Sequence, residues 1–163
     1  MTAANKAVSI ERLPTGFDRW DELLALILDA FAYMNGVIDP PSSALTLTSE
    51  NLAEKTRAET VFLATAGKEL LGCVFVAEKA DYFYVGKLAV APTAQGAGIG
   101  KGLLVAVERF ARESGRSILE LQTRIELTGN QRAFGRLGFV ETARTAHPGF
   151  DRATAVTMRK VLG

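Results

Sequence analysis

Residues 89–101 read Ala-Val-Ala-Pro-Thr-Ala-Gln-Gly-Ala-Gly-Ile-Gly-Lys, and the fold is decided by what this stretch joins. A strand-like run through Tyr84, Val85, Leu88 and Val90 stops at Pro92, which has no amide proton to offer a ladder. Gly96, Gly98 and Gly100 follow at alternate positions. Beyond them Leu103, Leu104, Val107, Phe110 and Ala111 recur at helical spacing. Strand, glycine loop and helix in that order aim free backbone N–H groups, and the positive end of the helix dipole, at one point. Such a point holds phosphate oxygens. Glycine suits the loop because a Cβ would keep a ligand off the backbone and would disfavour positive φ.

Two common nucleotide patterns fail here. A Walker loop needs glycine where Gln95 stands and Ser or Thr where Gly102 stands. A dinucleotide fingerprint starting at Gly96 needs glycine at Lys101, and one starting at Gly98 needs it at Leu103. What remains is Gln95-x-x-Gly98-x-Gly100 after a Val-x-Pro strand end. This resembles the pyrophosphate loop of the GNAT superfamily of acetyl-CoA-dependent N-acetyltransferases. A second block, Asn130-Gln-Arg-Ala-Phe134-Gly-Arg-Leu137-Gly138-Phe139, is similar to the family's downstream motif, a short helix closed by Leu-Gly-Phe that leads into a strand. The resemblance is strong from Tyr84 to Lys160 and weaker before it.

Composition sets the frame. A chain of 163 residues is read as a single domain over 1–163, large enough for one core. Net charge is +1 with Lys and Arg scattered, which argues against nucleic acid as a partner. The lone cysteine, Cys73, lies in the apolar run Leu71 to Val76; it excludes an internal disulfide framework and reads as a buried, inert thiol. No apolar leader is evident, and the most apolar helix, Leu23 to Met34, contains Asp29 and falls short of the roughly 20 residues a bilayer requires. A cytoplasmic protein with no membrane association is the expectation. One histidine and one cysteine, far apart in sequence, offer no metal-ligand spacing.

Along the chain, Lys6–Leu13 reads as a first strand. Asp18 is expected to cap a helix carrying Trp20, Leu23, Leu24, Ile27 and Phe31, ended by Gly36. Asp39-Pro40-Pro41-Ser42-Ser43 is a rigid loop. Thr48 or Ser49 caps a short helix over 50–57. Residues 60–65 and 70–77 form a hairpin turning at Gly67-Lys68. Strands follow over 82–90 and 117–127, with the long helix between them closed by Gly115. A helix over 130–137 and strands over 139–146 and 154–161 complete the chain. This mixture predicts an α/β fold of α+β type, a single mixed sheet with helices on both faces. The GNAT resemblance implies about seven strands, splayed between the fourth and fifth so that acyl-CoA enters the gap.

The resemblance also implies roles. Backbone N–H groups of Gln95, Gly96, Ala97, Gly98, Ile99, Gly100 and Lys101 would cradle the pyrophosphate. The edge of Leu88, Ala89 and Val90 would pair with the pantetheine arm, and Asn130 would contact that arm from the next helix. Lys101 can add charge to a phosphate or simply be solvated. Many family members carry a tyrosine where this chain has Phe134, so the usual acid for the leaving thiol is missing. Tyr82 or Tyr84 can supply the proton, or the thiolate can leave unprotonated, since an alkyl thiol has a pKa of only about 8.5. Phe134 is then expected to pack against the arm.

A general base is sought on the fifth strand, where period two places Glu120, Gln122, Arg124 and Glu126 on one face. The row is either a structural ion-pair ladder or an acceptor pocket in which a carboxylate takes the amine's proton. Glu126 is preferred over Glu120 because it lies nearer the strand's C-terminal end. His147, the only histidine, sits in the His-Pro-Gly-Phe-Asp151 loop that borders the acceptor site in GNAT folds, and is a rival base. Tyr33, Met34, Asp39 and Arg124 are candidate pocket residues. The expected reaction is acetyl transfer from acetyl-CoA to a primary amine of a small molecule or peptide, directly within a ternary complex, because no activated Cys or Ser nucleophile is evident. A homodimer stays open, as relatives often dimerise. The alternatives are an acyl-CoA-binding regulatory module without turnover, motivated by Phe134, and an ATP-binding protein using the same loop.

Overall fold

The structure is a computed structural model that describes residues 7–163; Lys6, placed in the first strand by the sequence reading, lies outside them. Seven strands form one sheet in the order β1-β2-β3-β4-β5-β7-β6. They are β1 (Val8–Arg12), β2 (Thr60–Ala66), β3 (Glu69–Glu78), β4 (Phe83–Val90), β5 (Ile118–Arg124), β6 (Val140–Thr145) and β7 (Ala155–Val161). Four α-helices cover it: α1 (Trp20–Phe31), α2 (Ser49–Ala58), α3 (Ile99–Glu113) and α4 (Thr128–Arg136). All strand pairs are antiparallel except β4 with β5.

The helices divide between the two faces, and β3 shows why the sheet is buried on both. Its Val74 and Val76 pack with Leu103, Leu104 and Val107 of α3. Its Cys73 and Phe75 pack on the other face with Leu23 and Ile27 of α1 and Leu52 of α2. A strand covered twice reads as a continuous apolar run rather than an alternating one, as Leu70–Ala77 does.

Local chemistry sets most boundaries. Thr48 caps α2 in a reciprocal box: its side chain accepts from the Asn51 N–H, while the Asn51 side chain accepts from the Thr48 N–H. The start of α1 departs from expectation. Arg19, not Asp18, is the capping residue and makes no side-chain cap; its guanidinium is spent on Glu22 and the Lys68 carbonyl. The helix also ends earlier, at Phe31, and a 3-10 turn over Ala32–Met34 carries the chain on to Gly36. At the fifth strand, the register with β7 ends at Arg124↔Ala155 and one further bond, from the Ile125 N–H to the Thr154 carbonyl at 2.9 Å, so Glu126 and Leu127 leave the ladder that the sequence alternation extends through them.

The β4–β5 seam positions everything that follows. Only Phe83↔Leu119 and Tyr84↔Glu120 are in register. From Val85 onward β4 has no partner on that side, and the sheet opens as a wedge.

Candidate active site

Where β4 ends, a 3-10 turn over Pro92–Ala94 leads into the glycine loop. Gly96 and Gly98 have φ of 86° and 79°, in the left-handed region that only glycine occupies without strain. Gly98 is the residue from which α3 starts. Among the described residues, no acceptor meets the amides of Gln95 through Lys101 with ordinary hydrogen-bond length and angle. The last three are first-turn amides that no helix can satisfy internally; the others are held open by the two left-handed glycines. The Gln95 side chain donates to the Val90 carbonyl at 3.3 Å, tying the loop back to its strand. A Cβ on Gly96 or Gly98 would meet no atom within 4 Å, so the loop faces open space. A row of unmatched donors at the positive end of a fifteen-residue helix, with Gln95 to Gly98 exposed, fits a diphosphate.

A bulge interrupts β4 just before that loop. Cys73 pairs with Ala89 but Phe75 pairs with Gly86, so two steps on β3 face three on β4. Lys87 sits in the bulge at φ 49°, the one non-glycine residue with positive φ among those described. Bulges re-aim side chains and free backbone groups beside functional sites. Here the Cys73 thiol donates to the Lys87 carbonyl at 3.4 Å. That thiol is fully buried, which pushes its pKa up to about 12, so it is no nucleophile.

The wedge between β4 and β5 encloses a cavity of about 540 Å³. Its walls are Tyr84 to Leu88 of β4 and Leu121 to Arg124 of β5. Met34, Ile38 and Ser43 close it from the connection between α1 and α2, Asn130 and Phe134 from α4, and His147 from the β6–β7 loop. Phe134 packs edge-on against Phe139, ring centroids 5.9 Å apart. Of the two phenols considered as acids, Tyr84 faces the cavity and Tyr82 does not; Tyr82 lies under the Arg159 guanidinium, 4.7 Å from it. Burial, and then the Glu120 carboxylate, raise the Tyr84 pKa, so it remains a protonated donor.

The polar row expected on β5 splits into separate jobs. Glu120 is almost fully buried and accepts from Arg159 of β7 at 2.9 Å. Arg124 donates to the Pro40 and Pro41 carbonyls at 2.6 and 3.1 Å. Glu126 accepts from the Asp39 N–H at 3.1 Å, and its other oxygen is buried without a partner. Neither glutamate lines the cavity. Arg124 and Glu126 together strap the 39–41 loop over the end of β5, and Asp39 pairs with Arg152 at 3.2 Å. Tyr33 is more than half exposed and accepts from the Asn130 side chain at 3.0 Å, joining the end of α1 to α4 across the wedge. Lys101 is exposed. Arg124→Leu would leave two loop carbonyls without their charged donor and lower stability by about 1–3 kcal/mol. Thermal unfolding, with limited proteolysis of the 36–43 segment, measures it.

His147 is the titratable side chain that the β6–β7 loop brings to the cavity. Its Nδ1 contacts the Thr154 hydroxyl, which also accepts from the His147 N–H at 2.8 Å and lies 3.4 Å from the Thr145 carbonyl. Burial lowers the imidazole pKa and the Arg124 charge lowers it further, against an opposing pull from Glu126. Sequence reasoning missed Thr154, Lys87 and Ser43. None carries a local signal, because each acquires its place through long-range register.

Among the described residues no three His, Cys, Asp or Glu side chains gather as a metal site, and no helix is long and apolar enough to cross a membrane. The model of the acetyltransferase (GNAT) family matches residues 20–139. The chain belongs to that family. No curated protein matches the sequence. Among solved structures, the Thermoplasma acidophilum PaiA N-acetyltransferase in complex with coenzyme A aligns with TM-score 0.78 at 16% identity, over 95% of this chain and 99% of that one. A GNAT acetyltransferase of Elizabethkingia anophelis with acetyl-CoA bound gives 0.67 at 20% identity, over 95% and 98%. The ribosomal-protein-S18-alanine N-acetyltransferase of Escherichia coli gives 0.70 at 19%, over 96% and 94%. Identities this low establish a common fold and nothing finer.

Proposed function

We propose that this chain, read as one cytoplasmic domain over 1–163, moves an acetyl group from acetyl-CoA to a primary amine of a small molecule or peptide, directly within a ternary complex. The observation that carries the reading is the row of amides from Gln95 to Lys101 left without acceptors beside a wedge that the sheet itself opens. Family membership supports it, as do same-fold proteins whose structures hold CoA or acetyl-CoA. Acetyl-CoA supplies the activated acyl group; the chain supplies position, charge and a proton acceptor. The glycine loop receives the diphosphate. The unpaired edge of β4 from Val85 to Val90 runs beside the pantetheine arm, with Phe134 and Asn130 opposite. Tyr84 gives a proton to the departing sulfur.

For the base, the geometry favours His147. It faces the cavity, and burial with the Arg124 charge holds its pKa below the ordinary histidine value, whereas neither Glu120, paired with Arg159, nor Glu126, bonded through one oxygen to the Asp39 amide, lines the cavity. Asp39 and Tyr33 border the acceptor's approach, and Arg124 fixes that border in place. Thiol release from acetyl-CoA against a broad amine panel, with CoA affinity measured beside it, tests the reading. Saturable release with at least one amine class is expected. Silence across the panel despite tight CoA binding would favour the alternative suggested by Phe134, an acyl-CoA-binding module without turnover. Stabilisation by ATP and not by CoA would overturn both.

A further inference from the structure

We propose that the acceptor amine carries a carboxylate, as amino acids do, and that Lys87, with Ser43 beside it, receives that carboxylate in the wedge between β4 and β5. The inference rests on the acetyl-transfer reading and names its substrate class. Three described lysines are withdrawn from solvent: Lys55, Lys87 and Lys160. Lys55 pairs with Glu59 at 2.6 Å and Lys160 with Glu108 at 3.1 Å. Lys87 alone of the three has no carboxylate within 4.0 Å among the described residues; its Nζ donates to the Ser43 hydroxyl at 3.1 Å. A half-buried ammonium without a counter-ion is a standing electrostatic cost unless a ligand supplies one. The strained bulge that holds Lys87 at positive φ lets this side chain reach Ser43 on the α1–α2 connection.

Charge around it points the same way. Lys55, Lys79, Lys87 and Arg124 line the cavity against a single carboxylate, Glu59, and that carboxylate is already the partner of Lys55. Burial, then Lys55 and Arg124, push the Lys87 pKa down, with Glu59 opposing. A polyamine would meet this field with like charge, whereas a carboxylate gains a charge-assisted hydrogen bond there. The cofactor does not provide the missing anion. Its pantetheine arm is uncharged, and none of Gln95 to Lys101, which face its diphosphate in our reading, lines the cavity.

The test uses CoA-saturated full-length protein and calorimetric titration with a panel of N-acetyl amino acids and with N-acetylspermidine, as product analogues. At least one N-acetyl amino acid should bind while N-acetylspermidine does not. Lys87→Met should weaken that binding by about tenfold or more, and Lys87→Arg should restore much of it. In turnover the same loss should appear in KM for the amino acid. Preference for N-acetylspermidine, no binding of any N-acetyl amino acid, or a Lys87→Met effect confined to kcat would overturn the proposal while the acetyl-transfer reading stands. Failure of the wild-type protein to bind CoA would sink that reading instead.

Discussion

Gly98→Glu abolishes CoA binding and leaves the fold standing. The residue begins α3 at φ 79° with open space around its missing Cβ. A glutamate there meets no wall, and its backbone strain is about 1–2 kcal/mol. Its carboxylate projects into the space the loop amides face and competes for them. Losing even two charge-assisted amide bonds, at about 1.5–3 kcal/mol each, weakens binding by roughly 10²–10⁴, and like-charge repulsion adds to that. Gly98→Ala is the control, since it carries the same φ strain without the charge. Calorimetry should give a modest loss for alanine and no measurable binding for glutamate. Equal affinities in the two variants would show that the diphosphate binds elsewhere.

His147→Gln lowers kcat by about 10²–10⁴, the range of a positioned general base, with CoA affinity unchanged. The side chain stays polar and near its original size, so the lost property is proton acceptance. Thr154 explains why the imidazole is poised for it. The hydroxyl is fully buried and accepts from the His147 N–H. If its own proton goes to the Thr145 carbonyl, its remaining lone pair takes Nδ1–H, and Nε2 keeps the lone pair that a base requires. The acid limb of kcat/KM in the wild type should fall below the ordinary histidine value, because burial and Arg124 depress the imidazole pKa. The same depression makes the native state lose stability as pH falls through that range, since the unfolded chain binds the proton more readily. With one histidine in the chain, nitrogen NMR reads the tautomer without overlap. Nε2–H in the neutral form, or wild-type turnover in His147→Gln, would remove it as the base.

What the sequence disclosed, and what it withheld, divides along contact range. Pro92, the left-handed glycines and the helical spacing from Leu103 to Ala111 act within a few residues, so loop and helix were legible. The capping of α2 was legible for the same reason as far as the pair Thr48 and Ser49, of which Thr48 is the cap. Asp18 was misread as a cap because Arg19's attachment to Lys68 depends on the β2–β3 turn, far away in sequence. Alternation along β5 placed Glu120, Gln122 and Arg124 together but could not show that bonding to the β7 side runs out after Ile125, which leaves Glu126 outside the strand. Nor could it show Arg159 arriving opposite Glu120. Lys87 was invisible as a site residue because only the offset between Cys73↔Ala89 and Phe75↔Gly86 shows the bulge that redirects it.

The most direct measurement is a CoA titration followed by backbone amide NMR. Resonances of Gln95 through Lys101 should move most and in saturable fashion, with smaller changes along Val85 to Val90 and at Asn130. Saturable binding that leaves the 95–101 amides unmoved would contradict the account at its root.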